Sequence, residues 1–119
     1  MKDFRELKVW EKAHRLTLKI YHATKEFPQE ERFGMTSQMR RTAASVPTNI
    51  AEGCGRDGDR EFTRFLEIAF ASASELEYLL LLSRDLEMLP STQYEPLTSE
   101  TVEVKKMLFS LIRKLKPEA

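Results

Sequence analysis

Apolar residues recur at steps of 4 and 3 in four separate stretches of this 119-residue chain, and that repeat leaves little choice of architecture. Val9, Ala13, Leu16, Ile20, Ala23 and Phe27 form the first stripe, and Met35, Met39, Ala43, Val46 and Ile50 the second. Phe62, Leu66, Ala69, Ala73, Leu76, Leu80 and Ser83 form the third, and Leu97, Thr101, Val104, Leu108, Leu111 and Leu115 the fourth. Residues three and four apart share one helix face, whereas a half-buried strand needs strict alternation, which is absent here. Four helices with one face each to bury, joined by short connections, close on one another as an antiparallel up-down four-helix bundle. The expected fold is all-α, in a single domain over residues 1–119.

The third helix carries more apolar surface than the others. Phe65, Ile68, Leu79, Leu82, Leu86 and Leu89 make a second stripe beside the first. Either this is the central helix of the bundle, or the surplus is covered by another subunit.

Breakers set the expected boundaries. Pro28 ends the first helix. Thr36 or Ser37 is the expected cap of the second, which spans 36–54 and ends on Gly53 and Gly55. Asp57 or Asp59 is the expected cap of the third. The segment "LPSTQYEPLTSE" (89–100), with Pro90 and Pro96, reads as the last turn, and Thr98 or Ser99 as the cap of the fourth helix. Pro47 falls inside the second stripe, yet Met39, Ala43, Val46 and Ile50 keep phase across it. The spacing therefore predicts a helix bent near Pro47 rather than a loop. Thr42 or Ser45 is positioned to satisfy the backbone groups that the proline frees.

Charge excludes some classes of partner and localises others. Lys and Arg balance Asp and Glu at 19 each, so strong non-specific attraction to nucleic acid is not a property of the whole chain. The first sixty residues carry 12 basic against 9 acidic residues, and the remainder 7 against 10, which directs attention to local patches in the first half. The longest aliphatic run, Leu79–Leu82, is far too short to span a bilayer, and no apolar leader opens the sequence, so a cytoplasmic protein is expected. A lone cysteine, Cys54, rules out an internal disulfide framework.

Motifs for catalysis or cofactors are not evident. Gly53, Gly55 and Gly58 in "EGCGRDG" have neither the phosphate-loop nor the dinucleotide spacing, and no strand precedes them. Di-metal sites in helical bundles need two Glu-x-x-His pairs; Glu11–His14 is one, while His22 has Lys19 three residues before it. Cys54 continues an apolar stripe and reads as a small buried hydrophobe. We therefore expect no enzyme activity, no cofactor and no metal.

The stretches "LKVWEKAHRL", "IYHATKEFP", "TSQMRRTAASVPTNIAEG" and "EFTRFLEIAFASASELE" together resemble the four-helix-bundle family of 23S ribosomal RNA intervening-sequence proteins, also called S23. The resemblance runs from about residue 4 to residue 115. The family is similar in fold to the accessory protein of diversity-generating retroelements, a ring-shaped pentamer that binds nucleic acid and a reverse transcriptase. The resemblance implies a homo-oligomer, a pentamer, associated with RNA or DNA, or else a ring that docks a partner protein such as a polymerase. Ile68, Ala71, Ser72 and Glu75, within "IAFASASELE", are the candidate subunit seam.

Arg56, Arg60 and Arg64 step by four, and Arg40 and Arg41 lie one helix earlier. These five arginines are the candidate nucleic-acid contacts, as a stripe that could follow a phosphate backbone. The competing role is internal pairing with Glu52, Asp57, Asp59, Glu61 or Glu67. Trp10, Tyr21 and Tyr78 are candidates either for base stacking or for plain core and interface packing.

Overall fold

In the computed structural model, which describes residues 2–116, four helices account for about three quarters of the chain: α1 (Lys8–Thr24), α2 (Met35–Cys54), α3 (Gly58–Asp85) and α4 (Ser91–Leu115). Each helix packs on two neighbours in cyclic order, most extensively α2 on α3. The direction of each contact follows from cross-helix pairs. Ser45 meets Ser72 and Thr42 meets Glu75; Lys12 meets Glu103 and Lys19 meets Glu100; Glu77 meets Lys105 and Glu67 meets Lys116. In every case one number rises as the other falls, so adjacent helices are antiparallel. The bundle measures 45 × 23 × 21 Å. No described helix is long and apolar enough to cross a membrane.

The core follows the stripes. Leu16, Ile20, Met39, Ile50, Leu66, Leu76, Leu80 and Leu108 are almost fully buried along its length. In α4 the buried row ends on Ile112, with Leu111 and Leu115 only half-buried. The second stripe of α3 divides. Phe65, Leu79 and Leu89 are buried within the chain, while Ile68 and Leu86 remain 38% and 57% exposed.

Helix α2 runs unbroken past Pro47. The carbonyl of Ala43, which would have bonded to the missing N–H, instead accepts from the Thr17 hydroxyl of α1 at 3.1 Å. That hydroxyl also reaches its own helix at the Ala13 carbonyl, 2.8 Å away, so one proton serves two acceptors. The expected donors, Thr42 and Ser45, are engaged elsewhere: both bond across to α3, at Glu75 and Ser72. Asn49 closes a local bond from its amide to the Ser45 carbonyl at 2.8 Å.

Several boundaries differ from expectation. Helix α4 begins at Ser91, not near Thr98 or Ser99, and the turn shrinks to residues 86–90. Pro96 therefore lies within the helix; Thr92, whose carbonyl loses its usual partner, and Pro96 are both exposed, so solvent can serve that carbonyl. At the start of α2 the cap comes from Glu31, whose carboxylate accepts from the Met35 N–H at 2.9 Å, rather than from Thr36 or Ser37. Asp57 occupies the cap position of α3 but makes no side-chain cap bond. Gly53 does not end α2: a Cβ there would meet Phe65 Cβ at 2.9 Å and the Phe62 ring at 3.1 Å, so glycine permits close approach to α3. Besides Gly58 (φ 78°), the left-handed residue among those described is Glu87 (φ 63°), just past α3. There the Met88 N–H bonds the Ser83 carbonyl and the Glu87 N–H bonds the Arg84 carbonyl, both at 2.9 Å, a Schellman closure with glutamate where glycine is usual.

Candidate nucleic-acid interface

The end of the bundle where α2 turns into α3 collects basic side chains from separate parts of the sequence. The N-terminal segment is tied there by the Lys2 N–H, which donates to the Cys54 carbonyl at 3.1 Å, and the Lys2 ammonium lies 5.3 Å from the Phe62 ring centre. Lys116, at the end of α4, reaches Glu67 of α3 at 2.7 Å.

Phe65 organises the arginines. Its side chain is buried, and the guanidinium groups of Arg56 and Arg64 lie over its ring at 5.0 and 4.5 Å. A planar guanidinium on an aromatic face keeps its N–H edges directed outward. Arg64 also forms a two-pronged bond with Glu61 at 3.1 and 3.2 Å. That bond and the guanidinium charge hold the Glu61 carboxyl below the ordinary carboxylate range. Arg56 approaches Glu52 at 3.9 Å. Both pairs are half exposed, where solvent screening leaves an ion pair weak, so phosphate can replace the carboxylate at small expense. Arg60 is exposed and has no ion-pair partner among the described residues.

Arg40 and Arg41 are not part of this group. Arg40 is half-buried against α1, donating to the Thr24 hydroxyl at 2.8 Å and the Tyr21 carbonyl at 3.2 Å, with its guanidinium over the Tyr21 ring. It closes the C-terminal turn of α1, where unpaired carbonyls and the negative helix end favour a cation. Arg41 is exposed beside it. The five arginines thus divide between the two ends of α2 instead of lining one stripe.

The residues expected at a subunit seam also divide. Ile68, Ala71 and Glu75 face outward on α3, in a row continued by Tyr78, which is 59% exposed. Ser72 is turned toward α2, its hydroxyl 2.7 Å from that of Ser45. Cys54 is buried, and loss of solvation raises its thiol pKa, the opposite of an activated nucleophile. Among the described residues no group of three His, Cys, Asp or Glu side chains converges as a metal site.

The spacing of Arg56, Arg60 and Arg64 was visible in the sequence; the contributions of Lys2, Phe65 and Lys116 were not. Phe65 lies beside Arg64 in sequence, but its role as a shared platform depends on the turn that brings Arg56 back over it.

The family described as 23S rRNA-intervening sequence protein matches residues 5–110. A crystal structure of a protein of unknown function from the S23 ribosomal protein family of Bacteroides thetaiotaomicron is 30% identical, with a TM-score of 0.82 over 88% of this chain and 95% of that one. No curated protein matches the chain.

Proposed function

The chain belongs to the 23S rRNA-intervening sequence protein family, and from that premise we propose that it is a non-enzymatic, cytoplasmic, oligomeric protein that associates with RNA or other nucleic acid. The observation that carries the reading is the pair Arg56 and Arg64 on one Phe65 ring, with the unpaired Arg60 beside them. Three outward guanidinium groups at one end of the bundle suit a run of phosphates, which fixes position without reading sequence. Association into a ring, five copies by the family resemblance, uses the outward row Ile68, Ala71, Glu75 and Tyr78 on α3.

The test is a titration of fluorescent structured RNA and of duplex DNA at about 50 and about 200 mM salt. Release of counterions gives a slope near −0.9 per phosphate, so three contacts per copy lower duplex affinity about 40-fold over that range. Reversing Arg56, Arg60 and Arg64 to Glu should abolish both affinity and slope. Binding that survives the reversal places the contact elsewhere, and absence of binding at the lower salt removes nucleic acid from the function.

The alternative reading is a protein-docking scaffold, for a partner such as a polymerase. Its support is at the opposite end of the bundle, where Phe33 is 85% exposed and Leu86 57% exposed beside Glu30, Asp85 and Glu87. A single protein retained after nuclease treatment, and lost with Phe33→Ser, would favour it.

A further inference from the structure

The groove between α1 and α2 adjoins the arginine platform at Glu52 and suits a different part of a nucleic acid. We propose that it is a stacking slot for an unpaired base of a single strand. The proposal rests on the nucleic-acid reading above and specifies which form of nucleic acid is taken. The groove has a volume of about 550 Å³, within the roughly 300–1,000 Å³ of small-ligand clefts. One wall carries Trp10 and His14; the floor on α2 carries Ala44, Pro47, Thr48 and Ala51.

Three features of the groove fit a flat ring. The aromatic wall is already ordered: the Trp10 and His14 rings are stacked at 5.0 Å with 6° between planes, and Phe4 meets Trp10 edge-on at 4.8 Å. His14 is exposed, so a base can extend this column without displacing a core residue. The floor is built from small side chains and a proline, which leave room for a ring and present no backbone N–H at residue 47 to go unsatisfied. Polar groups stand where a base has its edge. Thr48 is exposed and lines the groove, and the Glu52 carboxylate at one end can accept from an exocyclic amine.

Charge around the groove matches the backbone that would accompany the base. Arg5 lies over the Phe4 ring at 4.5 Å in an exposed pair with Asp3 at 3.3 Å, Arg56 is near Glu52 at that same end, and the exposed Arg41 is one turn beyond Ala44 at the other. A duplex cannot use the slot, because its bases are stacked on each other. A protein partner is disfavoured, because among the described residues none of the exposed large apolar side chains, such as Leu18, Phe33, Tyr78 or Phe109, lines this groove.

The chain has one tryptophan, so the fluorescence of Trp10 reports this groove alone. The experiment titrates the purified protein with an unpaired adenine-rich RNA oligonucleotide, an RNA hairpin whose loop is a non-nucleotide linker so that every base is paired, inorganic polyphosphate and free adenosine. The expected result is a change in Trp10 emission with the oligonucleotide and with millimolar adenosine, and little with the hairpin or polyphosphate. Ala51→Leu, which fills the floor, should lower oligonucleotide affinity about tenfold or more and leave hairpin affinity unchanged. Thr48→Leu, at an exposed position, repeats the test without risk to the fold. An equal response to hairpin and oligonucleotide, or unchanged single-strand affinity in both variants, overturns the slot while leaving phosphate binding intact. A silent Trp10 with oligonucleotide and adenosine overturns it too, and separate loss of hairpin binding at low salt is the failure of the broader reading. A fall in sedimenting mass on Ala51→Leu would instead make the groove a contact between copies.

Discussion

Replacing Thr17 by Val removes one hydroxyl and tests how this bundle tolerates a proline inside a buried helix. Thr17 is buried, and its hydroxyl is the donor that reaches the Ala43 carbonyl from across the α1–α2 interface. Val has nearly the same shape and leaves that buried carbonyl without its side-chain donor. An unsatisfied buried carbonyl costs about 1–3 kcal/mol. In urea unfolding followed by circular dichroism, at fixed protein concentration, the midpoint should fall by that free energy divided by the slope, with the slope itself unchanged. Thr17→Ser, which keeps the hydroxyl, should recover most of the loss.

The decisive form is a double-mutant cycle with Pro47→Ala. Alanine restores an N–H at residue 47, and that N–H can bond the Ala43 carbonyl along the helix. In that background Thr17→Val should cost well under about 1 kcal/mol, because the Ala13 carbonyl already has its helical partner. Pro47→Ala alone should be close to neutral: relief of a helix-interior proline offsets the freer unfolded chain and the loss of a buried ring. Equal penalties for Thr17→Val in the two backgrounds, within about 0.5 kcal/mol, would refute the assignment of Thr17 as the donor.

Gly53→Ala should destabilise by about 1–3 kcal/mol in the same urea assay, because its Cβ would press on Phe65 and Phe62, and shifting α2 from α3 is the only relief. Glu87→Gly should raise stability by up to about 1 kcal/mol, removing left-handed strain at the Schellman position; a loss would mean that the Glu87 side chain makes a contact of its own. Cys54 should react with a thiol reagent at least about a hundredfold more slowly in the native protein than in urea, since burial both shields the thiol and raises its pKa.

What the sequence made legible was whatever depends on one helix at a time. The four stripes foretold the four helices and most of the core, because phase along a helix decides which side is buried. The passage of α2 through Pro47 was readable for the same reason. The donor for the Ala43 carbonyl was not, since Thr17 is 26 residues away and becomes adjacent only when α1 packs on α2. The start of α4 was hidden by Pro90 and Pro96, which mark a turn by local rules. Pro90 precedes the helix, and Pro96 sits where the freed carbonyl faces solvent. The arginines show the same limit. Four-residue spacing placed Arg60 and Arg64 on α3, but the roles of Arg40 as a clasp on α1 and of Phe65 as a platform depend on neighbouring helices.

The half-chain charge balance was a poor guide for a related reason: in an up-down bundle, alternate helix ends are neighbours. The two ends differ more in arrangement than in total charge: Lys2, Arg5, Arg56, Arg60, Arg64 and Lys116 lie at one end among Asp3, Glu6, Glu52, Asp57, Asp59, Glu61 and Glu67, and Glu26, Glu30, Glu31, Asp85, Glu87 and Glu95 lie at the other among Lys25, Arg32 and Arg84. A ring with cyclic symmetry points every copy the same way, so association along α3 would gather all the arginine platforms on one rim. Phosphate contacts would then add across copies, and the salt slope would measure the assembly as well as the protomer. Tyr78→Asp isolates that contribution. The residue is exposed, and it lies fourteen positions, roughly 20 Å, along α3 from Arg64, beyond the ~8–10 Å screening length. The variant should sediment as a smaller species and bind duplex with a slope reduced toward that of three contacts. A smaller species with the full slope would show that one copy makes all the contacts. An undiminished assembly would move the seam away from the outward row of α3.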